Sequence, residues 1–161
     1  MRRYVNKIAI FVDVQNIYYT SRDVYNRQFD YSSFWERIQQ QGEIVIANAY
    51  AIERNDSKQH GFQNALRKIG FNIKLKPFIQ RSDGSAKGDW DVGITIDAID
   101  AAPDVDQVVL LSGDGDFDLL LTHMSNQFKI KTQVFGVPGL TAKSLIDACD
   151  EFIMIDEALL L

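Results

Sequence analysis

Four aspartates carry the chemical signal of this chain. Asp13 follows the apolar run Ile8-Ala-Ile-Phe-Val12, Asp91 stands at the start of a helical stretch, and Asp114 and Asp116 alternate with glycine in Ser112-Gly-Asp-Gly-Asp-Phe117. Each falls where a strand gives way to a helix or where a helix begins. In an open parallel sheet such junctions converge on the edge where ligands bind. Carboxylates gathered there repel one another. A divalent cation is the usual way to neutralise them, and hard oxygen donors suit Mg²⁺ or Mn²⁺.

Each of these residues also has an ordinary structural use. Asp13 could cap the helix that follows it, as Asp does at many strand-to-helix junctions. The acidic turn could be a solvated loop with an N-cap at Asp114 or Asp116, its glycines letting the chain turn tightly. A metal pair is favoured there because Asp13 and Asp91 are available as well. In Ala86-Lys-Gly-Asp-Trp-Asp-Val92, Asp89 is assigned as the cap or macrodipole partner, leaving Asp91 in the first turn, able to reach the shared edge. Asp97 lies off the face of Asp91 on a helix of 3.6 residues per turn and is expected to be structural or solvent-facing. Asn16 could orient Asp13 or contact a ligand, or be an ordinary first-turn residue. Lys87 could meet a substrate phosphate as a point charge or be an exposed loop lysine. His60 and His123 lack ligand-type spacing. Trp35, Trp90, Tyr18 and Tyr19 could stack on bases, although core packing accounts for most such aromatics.

The elements that must position these groups alternate along the chain. Apolar or alternating segments over 8–14, 43–52, 71–78, 107–111, 131–136 and 152–155 predict strands. Helical stretches are predicted over 15–22, 33–41, from 55–57 to 69, 89–101, onward from the acidic turn to about 126, and 141–148. Ser33-Phe-Trp-Glu36 has the form of a capping box, Gly42 and Gly70 are stops, and the polar stretch 80–86 is predicted as a mobile loop. Strands separated by helices imply right-handed crossovers and an α/β fold, a mainly parallel sheet covered on both faces.

The 161 residues, 46% hydrophobic, suffice for a single packed domain over 1–161. The net charge of -5 argues against attachment to nucleic acid by bulk positive charge. A bound dication would reverse the field locally. Cys149 is the only cysteine, so no intrachain disulfide can form and a reducing compartment is expected. The basic start before Ile8 is followed by a run too short for a signal peptide, and no stretch is long enough to span a membrane. A cytoplasmic location follows as the default.

Phe11-Val-Asp-Val-Gln-Asn16, Lys87-Gly-Asp-Trp-Asp-Val92 and Ser112-Gly-Asp-Gly-Asp-Phe117, in that order, resemble the NYN domain family, and within it the LabA-like branch. The closing stretch Val134-Phe-Gly-Val-Pro-Gly, Ser144-Leu and Ala148-Cys-Asp-Glu-Phe-Ile153 is similar to the family's last helix and strand. The resemblance implies a three-layer Rossmann-like fold of the PIN-like group and a metal-dependent ribonuclease site. It implies Asp13, Asp91, Asp114 and Asp116 as catalytic metal ligands for Mg²⁺ or Mn²⁺, with Asn16, Ser112 and Lys87 supporting. The family commonly reads Lys-Gly-x-Asp, whereas here one more residue separates Gly88 from Asp91, so Asp89 also competes for the role.

The expected activity is hydrolysis of single-stranded or looped RNA by a metal-activated water, leaving 5′-phosphate and 3′-hydroxyl ends. The alternative is a non-catalytic regulatory module that binds RNA or protein. A phosphohydrolase with Asp13 as covalent nucleophile would need an Asp two positions later, where Gln15 stands. A homodimer is left open.

Overall fold

Five consecutive apolar side chains, Ile8 to Val12, leave a strand no face to offer to water, and this segment lies at the centre of the sheet. The computed structural model describes residues 4–54, 56–77, 79–80, 86–87 and 89–161. Its elements are β1 (Lys7–Asp13), α1 (Val14–Tyr25), α2 (Tyr31–Gln39), β2 (Glu43–Glu53), α3 (Ser57–Ile69), β3 (Asn72–Pro77), β4 (Ile79–Gln80), β5 (Ala86–Lys87), α4 (Asp91–Ala101), β6 (Gln107–Leu111), α5 (Asp118–Phe128), β7 (Lys131–Gly136), α6 (Lys143–Ala148) and β8 (Glu151–Met154). Six strands form one sheet in the order β3-β2-β1-β6-β7-β8, every pairing parallel. Sequence therefore runs outward from β1 in one direction through β3, then returns to β6 and runs outward in the other.

The period-two alternation of β1 divides the core. Ile8, Ile10 and Val12 point to the layer holding Ile17 of α1, Phe34 of α2 and Leu66 of α3. Ala9 and Phe11 point to the layer holding Ile94 of α4, Leu121 of α5 and Leu145 of α6. Helices thus cover both faces, the three-layer α/β arrangement expected of alternating elements.

Most element boundaries fall within two residues of the sequence expectation, and α2 shows why one differs. The helix opens at Tyr31 rather than at Ser33, because the Asp30 carboxylate caps it, accepting from Ser33 N at 3.1 Å and from Ser33 Oγ at 2.7 Å. Ser33 is thus a partner of the cap rather than the cap. The earlier start brings Tyr31 into the core. In α3 the cap is Asp56, which accepts from Gln59 N at 2.7 Å; Asn55 lies outside the described residues. The stretch expected as a loop is flanked by β4 and β5, which pair antiparallel, while residues 81–85 lie outside the described ones. No helix among the described residues is long and apolar enough to cross a membrane.

Candidate metal centre

The strand order reverses between β1 and β6, and a crevice opens at such a reversal because the two connections leave to opposite faces. Asp13 ends β1, and Ser112 to Asp114 follow β6 directly. The Asp13 carboxylate has both its ordinary and its special use. Oδ1 caps α1, accepting from Asn16 N at 3.4 Å, while Oδ2 accepts from Ser112 Oγ at 3.1 Å. Ser112 is fully buried, and its hydroxyl in turn accepts from Asp114 N at 3.1 Å, so one side chain spaces the two carboxylates. Asn16 does not touch the Asp13 carboxylate through its side chain. Its Oδ1 accepts from Gly113 N at 2.9 Å, tying the acidic turn to α1.

The glycines of the turn have a different reason from the expected one. Neither Gly113 nor Gly115 adopts positive φ. Instead, a Cβ on Gly113 would lie 2.4 Å from the Leu140 carbonyl oxygen, and one on Gly115 would lie 2.9 Å from the Ala142 Cβ. Close approach of the segment before α6, sealed by Ala142 N donating to Gly113 O at 3.0 Å, excludes any side chain at both positions.

Asp91 arrives from the other side. It is the first residue of α4, and its N–H donates to Asp89 Oδ1 at 3.3 Å, so Asp89 supports the helix start as expected, although Trp90 occupies the N-cap position itself. Trp90 is the residue whose role the sequence did not reveal. Its indole N–H donates to Ala51 O on β2 at 2.9 Å, its ring lies 5.3 Å from that of Tyr50, and the Lys76 ammonium sits 4.4 Å above it. These contacts pin the start of α4, and with it Asp91, over the sheet edge. A tryptophan next to a candidate ligand was the only sign of this.

Three of the four expected carboxylates come together. Asp13, Asp91 and Asp114, all partly buried, each offer an oxygen within 4.8 Å of the others. Asp116 is not in this group: it sits on the 3-10 turn Gly115–Phe117, exposed, its N–H donating to Asp114 Oδ1 at 2.9 Å. Lys87 lies in β5, and its side chain, like Gly88 beside it, is outside the described residues.

Among the described side chains none forms a salt bridge with these carboxylates. Burial pushes the Asp13 carboxyl up to about 6; its hydrogen bonds from Asn16 and Ser112 pull it down, and Asp114 and Asp89 add repulsion. Burial likewise raises Asp91 to about 7, reinforced by a hydrogen bond and repulsion from Asp114 and by the charges of Asp89 and Asp13. Two partly buried acids that hold protons near neutrality fit a dication, which would displace those protons and take their place. A donor set made only of carboxylate oxygens matches Mg²⁺ or Mn²⁺ and does not match zinc, which favours nitrogen and sulfur.

Farther along α4, Asp97 is structural. It accepts from Tyr50 Oη and from Lys74 Nζ, both at 2.7 Å, and Tyr50 Oη accepts from Asn48 Nδ2 at 3.1 Å.

The fold recurs in known proteins. A solved structure from Vibrio parahaemolyticus, described as a protein of unknown function, superposes with a TM-score of 0.95 at 55% identity, covering 100% of this chain and 99% of that one. Ribokinase from Giardia lamblia shares the fold alone, with a TM-score of 0.51 and 10% identity over 94% of this chain and 58% of that one. The Low amplitude and bright protein LabA of Synechococcus elongatus is 28% identical over 160 residues, covering 94% of this chain and 85% of its own length. The NYN domain model matches residues 7–156, so the chain belongs to the NYN domain family and is LabA-like within it.

Proposed function

We propose that the protein is a metal-dependent ribonuclease that hydrolyses phosphodiester bonds at the cluster of Asp13, Asp91 and Asp114. One observation carries this reading: three carboxylates from three separate elements converge on the sheet edge within 4.8 Å, and no described side chain forms a salt bridge with them. A structural role would not require such a cluster, since each residue could serve as a cap alone. The family, with its PIN-like nuclease architecture, supports the same chemistry.

In this reading Asp13, Asp91 and Asp114 hold Mg²⁺ or Mn²⁺, and Asp116 is an outer carboxylate on the neighbouring exposed turn. The ion, when bound, activates water and offsets charge on the phosphoryl oxygens. The chain's own residues do the positioning. Ser112 fixes the rotamer of Asp13 and the backbone of Asp114 together, and Asn16 fixes the turn that carries Asp114. Asp13 and Asp91 would hold the ion as carboxylates, their protons displaced by it. No carboxylate attacks phosphorus, and the products carry 5′-phosphate and 3′-hydroxyl ends.

The test is cleavage of 5′- and 3′-labelled single-stranded and hairpin RNA by purified protein in Mn²⁺ or Mg²⁺, with EDTA and an Asp13→Asn preparation as controls against contaminating ribonuclease. Metal-dependent cleavage that both controls abolish is expected. Folded, metal-binding protein that cleaves none of these RNAs would replace the ribonuclease with the non-catalytic RNA- or protein-binding module.

A further inference from the structure

Beyond Asp13 the same sheet edge opens into a cavity of about 650 Å³ between α1 and α3. We infer that this cavity is the subsite for one unpaired nucleobase of the RNA strand whose phosphate is held at the aspartate cluster, an inference that rests on the ribonuclease reading above. The cavity lining begins at Val14, the residue after Asp13. Gln15, two residues after Asp13, lines the cavity and is half-buried, with no hydrogen bond from its amide to another described residue. The rear wall includes Ala51 and Ile52 of β2, which follow the Asp13-paired Tyr50.

The lining suits a base. Tyr18, Tyr19 and Phe62 present aromatic rings, which stack on any base, and the volume is that of a small-ligand pocket. Tyr18 is half-exposed, and Arg22 lies 5.5 Å from its ring and 4.9 Å from that of Tyr19. The exposed Lys58 offers a cation to the strand at the mouth, while the acid there, Asp56, is engaged as the cap of α3. A base already stacked and paired in a duplex could not enter without leaving its partner, so the cavity selects single strands.

Gly61 provides the test. It lines the cavity from α3, and a Cβ there meets nothing within 4 Å, so Gly61→Phe adds a bulky side chain at the cavity lining from an open backbone position while removing a helix-interior glycine. Gly61→Leu is a smaller plug should the phenylalanine disturb the fold by circular dichroism. Binding of a short fluorescein-labelled oligouridine and of an RNA duplex is read by anisotropy with the full chain in Ca²⁺, beside hydrolysis of bis(p-nitrophenyl) phosphate in Mn²⁺. The expected result is preference for the single strand, weakened about tenfold or more by the plug, the cost of one lost base stack, with ester hydrolysis unchanged. Equal oligouridine affinity in wild type and plugged protein, or equal binding of the duplex, overturns the inference. Plug-sensitive binding by a wild type that hydrolyses neither RNA nor the ester keeps the base subsite and removes the ribonuclease reading instead.

Discussion

Asp91 and Asp97 lie six residues apart on one helix, yet their carboxyls have been given opposite surroundings. Around Asp97 burial pushes the carboxyl up, but the Lys74 ammonium and the Tyr50 hydroxyl together hold it below the usual carboxylate value. Around Asp91 burial acts in the same direction and the neighbours are three more carboxylates, Asp114, Asp89 and Asp13, so its proton is held to about 7. The fold can therefore match a buried negative charge from its own resources, and does so within two turns of the cluster where it does not. That contrast, more than the number of acids, points to a partner from outside the chain at the first site and to none at the second.

The contrast is tested most severely by Asp13→Asn. Metal-dependent RNA cleavage should fall about 100-fold or more, in line with the loss of comparable electrostatic groups. Metal-free stability should hold or rise, since asparagine still caps α1 and one repelling charge is gone. Unchanged cleavage by the folded variant would reduce Asp13 to a helix cap.

Next in size is the response to the ion itself. Mn²⁺ at about 100 times its dissociation constant should stabilise the wild type by roughly 2.7 kcal/mol, a rise of roughly 5–10 °C in Tm for a chain of this length. Asp97→Asn should keep this shift and Asp13→Asn should lose most of it. Equal shifts in the two variants would erase the distinction between the sites.

The dependence on pH should also separate them. Asp13 and Asp91 have raised values, so their contribution is complete below the ordinary carboxylate range and is lost as pH rises through about 6 and about 7. Asp97, lowered, contributes above that range and loses its contribution only in stronger acid. Urea unfolding in EDTA should therefore show stability falling by about 2 kcal/mol between pH 5 and pH 8, after allowance for solvent screening. A flat profile would mean that the cluster is solvated or already neutralised. The smallest effect belongs to Asp97→Asn, which should cost about 1 kcal/mol through weakened hydrogen bonds to Lys74 and Tyr50 and leave cleavage untouched.

The sheet and the convergence of Asp13, Asp91 and Asp114 were legible because they depend on local pattern. An apolar run such as Ile8 to Val12 has one low-energy use, and an aspartate at its end must lie at the sheet edge. What stayed hidden depends on contacts between distant segments. Gly113 and Gly115 read as turn formers, and only the approach of residues 140–144 shows that they make room. Ser33 matched a capping box, but Asp30, three residues earlier, supplied the stronger acceptor. Asp116 had the same credentials as Asp114, and the 3-10 turn left it in solvent. Trp90 resembled any partly buried aromatic until its N–H met the carbonyl of Ala51.

The packing of Gly113 and Gly115 against the 140–144 segment also imposes a schedule on biosynthesis. Asp13, Asp91 and Asp114 have all been translated before β7 begins, yet the backbone that seals their turn is made only after β7 is finished. A nascent chain halted ahead of Leu140 has all three acids of the cluster and lacks the segment that packs against the turn carrying one of them. Because a domain generally folds as a unit, possession of the three acids and possession of the site are separated in time, and the second arrives with nearly the last part of the domain.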